Sequence, residues 1–130
     1  MLHPIDPSNG SDSMDEKSWS DLAGRMGELR DYRAIAGLLT WDQETCMPPG
    51  GAAARASQLA AVQALLHERK TSPALGELLA GASADPSLDE GRRAAVRNLT
   101  RERDRAVKLP LRLVREIAER QSRAVEAWRA

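Results

Sequence analysis

The chain has 130 residues, the length of one domain or part of one, and its 19 Lys and Arg balance 19 Asp and Glu. Global charge therefore gives no reason to expect a nucleic acid or an anionic membrane as partner. One cysteine, Cys46, leaves no internal disulfide and fits a cytoplasmic setting; no apolar run approaches the roughly 18 residues that span a bilayer, and no secretory signal is expected.

Residues 1–12 are rich in Pro, Ser, Gly and Asp without an apolar period, which reads as a disordered tail ahead of a helical region over 13–130. Ser13 with Glu16 has the spacing of a capping box. From there Trp19, Leu22, Met26, Leu29, Tyr32, Ile35 and Leu39 form a stripe that predicts a first helix from about 14 to 45. Met47-Pro48-Pro49-Gly50-Gly51 stops it, because two prolines lack the N–H donor that a continuing helix needs.

A second helix is expected over 52–69, with Ala52, Ala56, Leu59, Val62 and Leu66 on one face. Ser72 suits an N-cap and Pro73 a first helical position, so a short third helix follows, with Leu75, Leu78 and Leu79 inward and Gly81 as its C-cap. Asp85-Pro86-Ser87 is a linker, and Ser87 with Glu90 offers another capping box. The fourth helix is expected over 88–107, with Leu88, Ala95, Leu99 and Ala106 inward. Pro110 starts the fifth, whose apolar side is Val114, Ile117, Gln121, Val125 and Trp128; no capping residue ends it, the pattern of a chain cut short. No strand alternation holds beyond four residues, and no internal repeat appears.

The chemistry-bearing residues are few. His67-Glu68 begins a His-Glu-x-x-His pattern, but Arg69, Lys70 and Thr71 follow, so the second imidazole that a zinc helix needs is missing. His67 then reads as a partly exposed polar residue near a helix end, and His3 lies in the tail. Cys46 has no histidine near it in sequence to activate it and reads as a small buried apolar residue. Asp42 and Glu44 flank the Pro-Pro-Gly-Gly turn, where two carboxylates ordinarily face water or pair with arginine rather than divide acid and base work. Arg93, Arg97, Arg101 and Arg105 repeat every four residues, a spacing that could track phosphates. Glu90, Glu102 and Asp104 interrupt the row and no aromatic residue is interleaved for base stacking, so a salt-bridged helix face or a docking surface is the better reading.

Three segments carry a resemblance to the N-terminal region of the carboxypeptidase Taq family of zinc metallocarboxypeptidases. They are Leu39-Thr40-Trp41-Asp42 through Met47, Pro48 and Gly51 to Arg55-Ala56-Ser57-Gln58-Leu59-Ala60; His67-Glu68 with Thr71 to Gly76; and Asp104 to Pro110 through Leu113, Val114 and Glu116 to Trp128. The resemblance implies a largely helical, cytosolic, commonly homodimeric peptidase that removes C-terminal residues from peptides. It also implies a zinc site, made of a His-Glu-x-x-His helix and a further glutamate, that lies downstream of this region. No catalytic or metal residue is then carried by this chain, and no cofactor is expected in it.

The expectation is an all-α fold of about five helices in an elongated bundle, with two long helices joined through the Pro-Pro-Gly-Gly turn. Apolar surface should remain exposed on the first and fifth helices, which favours self-association or docking to a missing C-terminal catalytic part. Trp41, Asp42, Met47 and Pro48, with the four arginines, are the candidate docking or structural residues. The expected function is a non-catalytic domain that forms a wall or lid of the peptidase groove; the alternative is a stand-alone helical module that dimerises or regulates a full-length relative.

Overall fold

A computed structural model describes residues 14–129. It contains five α-helices, α1 (Glu16–Thr45), α2 (Ala52–Thr71), α3 (Pro73–Ala84), α4 (Glu90–Ala106) and α5 (Leu111–Arg129), and no strand among those residues. The fold is all-α. The tail over 1–12, His3 and the capping residue Ser13 lie outside the described residues.

Local chemistry explains each boundary, in several places differently from the sequence reading. Asp15 caps α1: its carboxylate accepts the Ser18 N–H at 2.7 Å, and the bonds from Ser18 hold its carboxyl below the ordinary value. Between α1 and α2, the Cys46 and Met47 N–H groups both donate to the Asp42 carbonyl, and Gly51 N–H donates to the Pro48 carbonyl. Gly50 turns there with φ +86°, which only glycine adopts without strain. A Cβ on Gly51 would meet Met47 Cγ at 2.9 Å, so the two glycines answer to different demands, one conformational and one steric.

Ser72 breaks α2 from α3 and its hydroxyl accepts the Leu75 N–H at 3.3 Å, with Pro73 at the first helical position. Gly81 does not end α3. It keeps helical backbone, and the helix continues to Ala84 because the next residue, Ala82, is buried in the core. Ser87 does not cap α4 either. Asp89 does, accepting the Arg92 N–H at 2.8 Å, while the Ser87 hydroxyl donates to Asp85 at 2.7 Å. Pro110 opens α5, its carbonyl accepting the Leu113 N–H at 2.9 Å.

α1 is 30 residues long, about 45 Å at 1.5 Å per residue, and it doubles back into α2. α2 touches all four other helices, and its broadest contact is with α5. Val114 of α5 lies beside Leu66 and Lys70, whereas Val125 lies beside Leu59. α5 therefore runs antiparallel to α2 and in the same direction as α1.

The two ends of this array are packed with different residues. Around the first half of α1 the core is leucine-rich: Leu22 and Leu29, Leu66, Leu75 and Leu79, and Leu88, Val96 and Leu99 from α4 and its approach. Around the second half it is built from small residues: Ala36 of α1, Ala56, Ala60 and Ala64 of α2, and Ala118 of α5, with Leu59 among them. Two polar residues are buried there as a reciprocal pair. Gln43 Nε2 donates to the Ser122 carbonyl at 2.7 Å, and Ser122 Oγ donates back to Gln43 Oε1 at 3.0 Å.

This layer corrects the apolar stripes inferred from sequence. The buried residues of α1 are Leu22, Leu29, Ala36 and Gln43, one every seven residues. Ile35, placed inward by the sequence reading, is 45% exposed. In α5, Val114 and Val125 are half-buried, but Ala118 and Ser122 face inward while Ile117 and Gln121 are exposed and Trp128 is 91% exposed. In α4 the valine Val96 is buried and Ala95 only half-buried. Small side chains at the α1–α2–α5 contact let the backbones approach closely, and the larger neighbours are turned outward. Exposed apolar surface thus lies on α1 and α5, as anticipated.

Asp85 ties the chain start to the α3–α4 link. It is buried and accepts the Met14 N–H at 2.8 Å together with the Ser87 N–H and hydroxyl. Those bonds, from Ser87 foremost, hold its carboxyl below the ordinary value. A carboxyl lowered on folding contributes stability that is fully present above its unfolded pKa, about 4, and is lost as pH falls through the folded value. The melting temperature should accordingly drop on acidification below about pH 4, and Asp85→Asn should flatten that drop while lowering stability at neutral pH. An acid titration of Tm on both proteins checks this; identical profiles would count against the assignment.

Candidate functional site

The corner between α1 and α2 gathers the polar residues of the first family-like segment. Arg55, one turn into α2, reaches back to α1 with all three guanidinium nitrogens engaged. Nη2 pairs with Asp42 Oδ2 at 2.6 Å, Nη1 donates to the Leu39 carbonyl at 2.6 Å, and Nε donates to Gln58 Oε1 at 3.0 Å. The Leu39 carbonyl lies within α1, so Arg55 is a second donor to it beside the helix's own bond. Arg55 is mostly buried at 15% side-chain exposure, so these are charge-assisted bonds in a partly desolvated place. Of the two ordinary fates of a carboxylate beside the turn, facing water or pairing with arginine, Asp42 has the second.

The other candidates at this corner divide in two. Met47 is half-buried and folds over Gly51, closing the turn. Trp41 and Pro48 stay on the surface, Trp41 at 56% exposure. Cys46 is not buried as expected: it follows the last residue of α1 at the turn, and its exposed free thiol accepts the Thr45 hydroxyl at 3.4 Å.

The arginine row of α4 does not act as one. Arg93 donates to the Leu88 and Pro86 carbonyls at 2.7 and 3.3 Å, closing the start of its own helix. Arg97 pairs with Glu90 at 2.9 Å and lowers that carboxyl's pKa. Arg101 is exposed, and Arg105 borders a cavity of about 300 Å³ shared with His67, Lys70 and Glu102. Glu102 is itself bonded to Arg33 and lies 3.5 Å from Lys70. With Arg93 and Arg97 held by their own helix start, no unbroken basic row is left to follow a phosphate chain.

Among the described residues no group of three or more His, Cys, Asp or Glu side chains is placed to hold a metal ion. His67 is half-buried near the end of α2, its carbonyl accepting the Thr71 hydroxyl, with Glu102 as the carboxylate bordering the same cavity. A zinc site needs three protein ligands around one point, and the described residues bring no such set together. No described helix is long and apolar enough to cross a membrane.

The model of the carboxypeptidase Taq (M32) metallopeptidase family matches residues 21–130, from early in α1 onward. The chain belongs to that family. Thermostable carboxypeptidase 1 of Thermus thermophilus is 33% identical over 116 residues, covering 87% of this chain but 23% of that protein. The chain therefore spans about a quarter of the length of this curated relative. No solved structure matches it at a significant level. Within this M32 region, the match includes all of α2 to α5 and the α1–α2 corner that Arg55 holds.

Gln43 and Ser122 were not named from sequence, and Arg55 and Asp85 were named only as part of a family-like segment and of a linker. Gln43 had a signal, the seven-residue repeat from Leu22 through Leu29 and Ala36. Arg55 had none: its partners lie 13 and 16 positions back, across a turn whose geometry the sequence does not state.

Arg55→Ala should cost about 1–3 kcal/mol, because it leaves a half-buried carboxylate without its cation and removes the side-chain tie to the Leu39 carbonyl. Asp42→Asn should cost less, since the bond to the Leu39 carbonyl survives, and Arg55→Lys should recover part of the loss, a single ammonium replacing a three-way fork. Urea denaturation of the four proteins gives the order; equal midpoints for wild type and Arg55→Ala would remove the corner from the account.

Proposed function

We propose that this chain is a non-catalytic helical domain of a Taq-type carboxypeptidase, forming one wall or lid of the groove in which a peptide's C-terminus is cut. The carrying observation is the family match over residues 21–130 on a stretch that amounts to 23% of a carboxypeptidase relative. Consistent with it, the polar clusters of the chain close the fold on itself: Arg55 joins two helices, Asp85 fastens the chain start, and Arg93 and Arg97 bond within α4 and its approach. The metal and the groups that activate water belong, in this reading, to the remainder of such an enzyme. A cytoplasmic setting goes with it, supported by the exposed free thiol of Cys46.

The chain's part is mechanical. A wall narrows the groove, excludes water and orients the substrate, effects that raise catalysis without touching the reacting atoms. The other reading, a free-standing module that regulates a full-length relative, would use the same exposed apolar surface but has no observation of its own to favour it.

The purified chain, incubated with Zn²⁺ or Co²⁺ and peptides bearing free C-termini, should release no amino acids above the metal-only blank. Thermostable carboxypeptidase 1 deprived of its matching region should be inactive and regain peptide hydrolysis when co-expressed with this chain. Chelator-sensitive release by the chain alone would overturn the proposal, as would a soluble mixed complex with no activity.

A further inference from the structure

The cavity of about 300 Å³ that Arg105 borders opens where α2, α4 and the start of α5 meet. Leu66, Ala106, Leu109 and Val114 give it an apolar side. Lys70 of α2 and Arg105 of α4 bring positive charge to the same space. A concave site with apolar walls and a few convergent polar groups is the ordinary form of a small-molecule site.

The charges around it do not cancel. Glu102 is the carboxylate on its border, and Arg33 reaches across from α1 to bond with it. Lys70 Nζ lies 3.5 Å from that carboxylate, too far for a good charge-assisted hydrogen bond. The Lys70 side chain is only 18% exposed, so solvent answers its charge only in part. Arg105 has no ion pair and no side-chain hydrogen bond among the described residues. Three cations, Arg33, Lys70 and Arg105, are thus set against the single carboxylate of Glu102, an excess of two positive charges. α2 adds the half-buried His67, while α5 lines the cavity with Val114 and brings no charge. A cluster serving only to hold the helices together would pair each of its cations, as Arg55 is paired at the α1–α2 corner.

We infer that this cavity binds a small organic carboxylate with an aliphatic body. Lys70 and Arg105 supply the countercharge, and both can donate to the carboxylate oxygens. Gln63 and His67, on the same wall, add uncharged N–H donors. Leu66, Ala106, Leu109 and Val114 cover the aliphatic part. An inorganic anion would answer the charge but leave the apolar side wet. A free amino acid would bring an ammonium to a place already rich in cations. The site makes no use of a metal or of any part of a carboxypeptidase outside this chain, so it stands or falls apart from the proposed function.

Calorimetric titration of the whole chain with 4-methylpentanoate tests it, with the uncharged 4-methylpentanamide as the matched probe. The acid should bind about tenfold or more tightly than the amide. Lys70→Gln and Arg105→Gln should each weaken the acid about tenfold and leave the amide unchanged. Arg101→Gln, on the same helix but outside the cavity, should leave both unchanged. Glu102→Gln removes the carboxylate from the border and should tighten the acid, an effect that damage to the fold would not produce. Melting curves without ligand show which variants hold the fold; should Lys70→Gln fail to fold, the exposed Arg105→Gln still decides. No binding at millimolar acid would overturn the site, as would an amide that binds equally well. Phosphate binding as tightly as the acid would show that charge alone is read, and leucine binding as tightly would contradict the charge excess. Arg101→Gln weakening the acid as much as Arg105→Gln would move the effect to the general surface charge and overturn the assignment.

Discussion

Every helix in this structure leans on α2, and α2 has its direction because the corner at its start is fixed. Arg55 holds that corner from inside the second helix, reaching Asp42 and the Leu39 carbonyl of the first. Gly50 and Gly51 make the reversal possible by conformation and by space. Were the corner to open, α5, whose broadest contact is with α2, would lose its platform, and the leucine cluster would lose Leu66. The ion pair itself is modest in energy; its effect comes from where it sits, at the root of all later packing.

Stability is distributed unevenly along the array. The leucine-rich end removes large apolar side chains from water, with Leu22 and Leu75 almost wholly buried and Arg92 stacked over Trp19 at 4.5 Å beside them. The other end is held by alanines, which contribute little each. α5 is therefore attached by close fit rather than by a large apolar burial, while its larger side chains face away.

Much of the fold was legible in the sequence. The prolines at 48, 73, 86 and 110 mark the breaks, and the five helices fall between them within a few residues. The caps were harder, because Ser87 and Asp89 both have the chemistry of a cap and the choice depended on Asp85, which draws Ser87 to itself. The inward faces were hardest. Periodicity finds the largest apolar residues and assumes that they point inward, an assumption that fails where a helix has two apolar faces. Ile35 and Ile117 satisfied the pattern and still face outward, while Ala36, Gln43, Ala118 and Ser122 were passed over because they are small or polar. The candidate docking residues divided likewise. Trp41 and Asp42 are adjacent, yet one is on the surface and the other is tied to Arg55, a difference of helical phase that only the packed structure decides.

The reciprocal bonds between Gln43 and Ser122 carry a consequence for alignment. An interface of alanines is nearly featureless along its length, so α5 could slide by a turn against α1 and α2 with little change in apolar contact. Sliding would separate the amide from the serine and strand several polar atoms away from water, at about 1–3 kcal/mol for each unmet group. One buried polar pair thus sets the registry of an otherwise uniform layer, as a polar residue in a helical seam does elsewhere. With the registry set, the outward residues of α5 are held at fixed heights beside those of α1, and the face they make together has a definite shape.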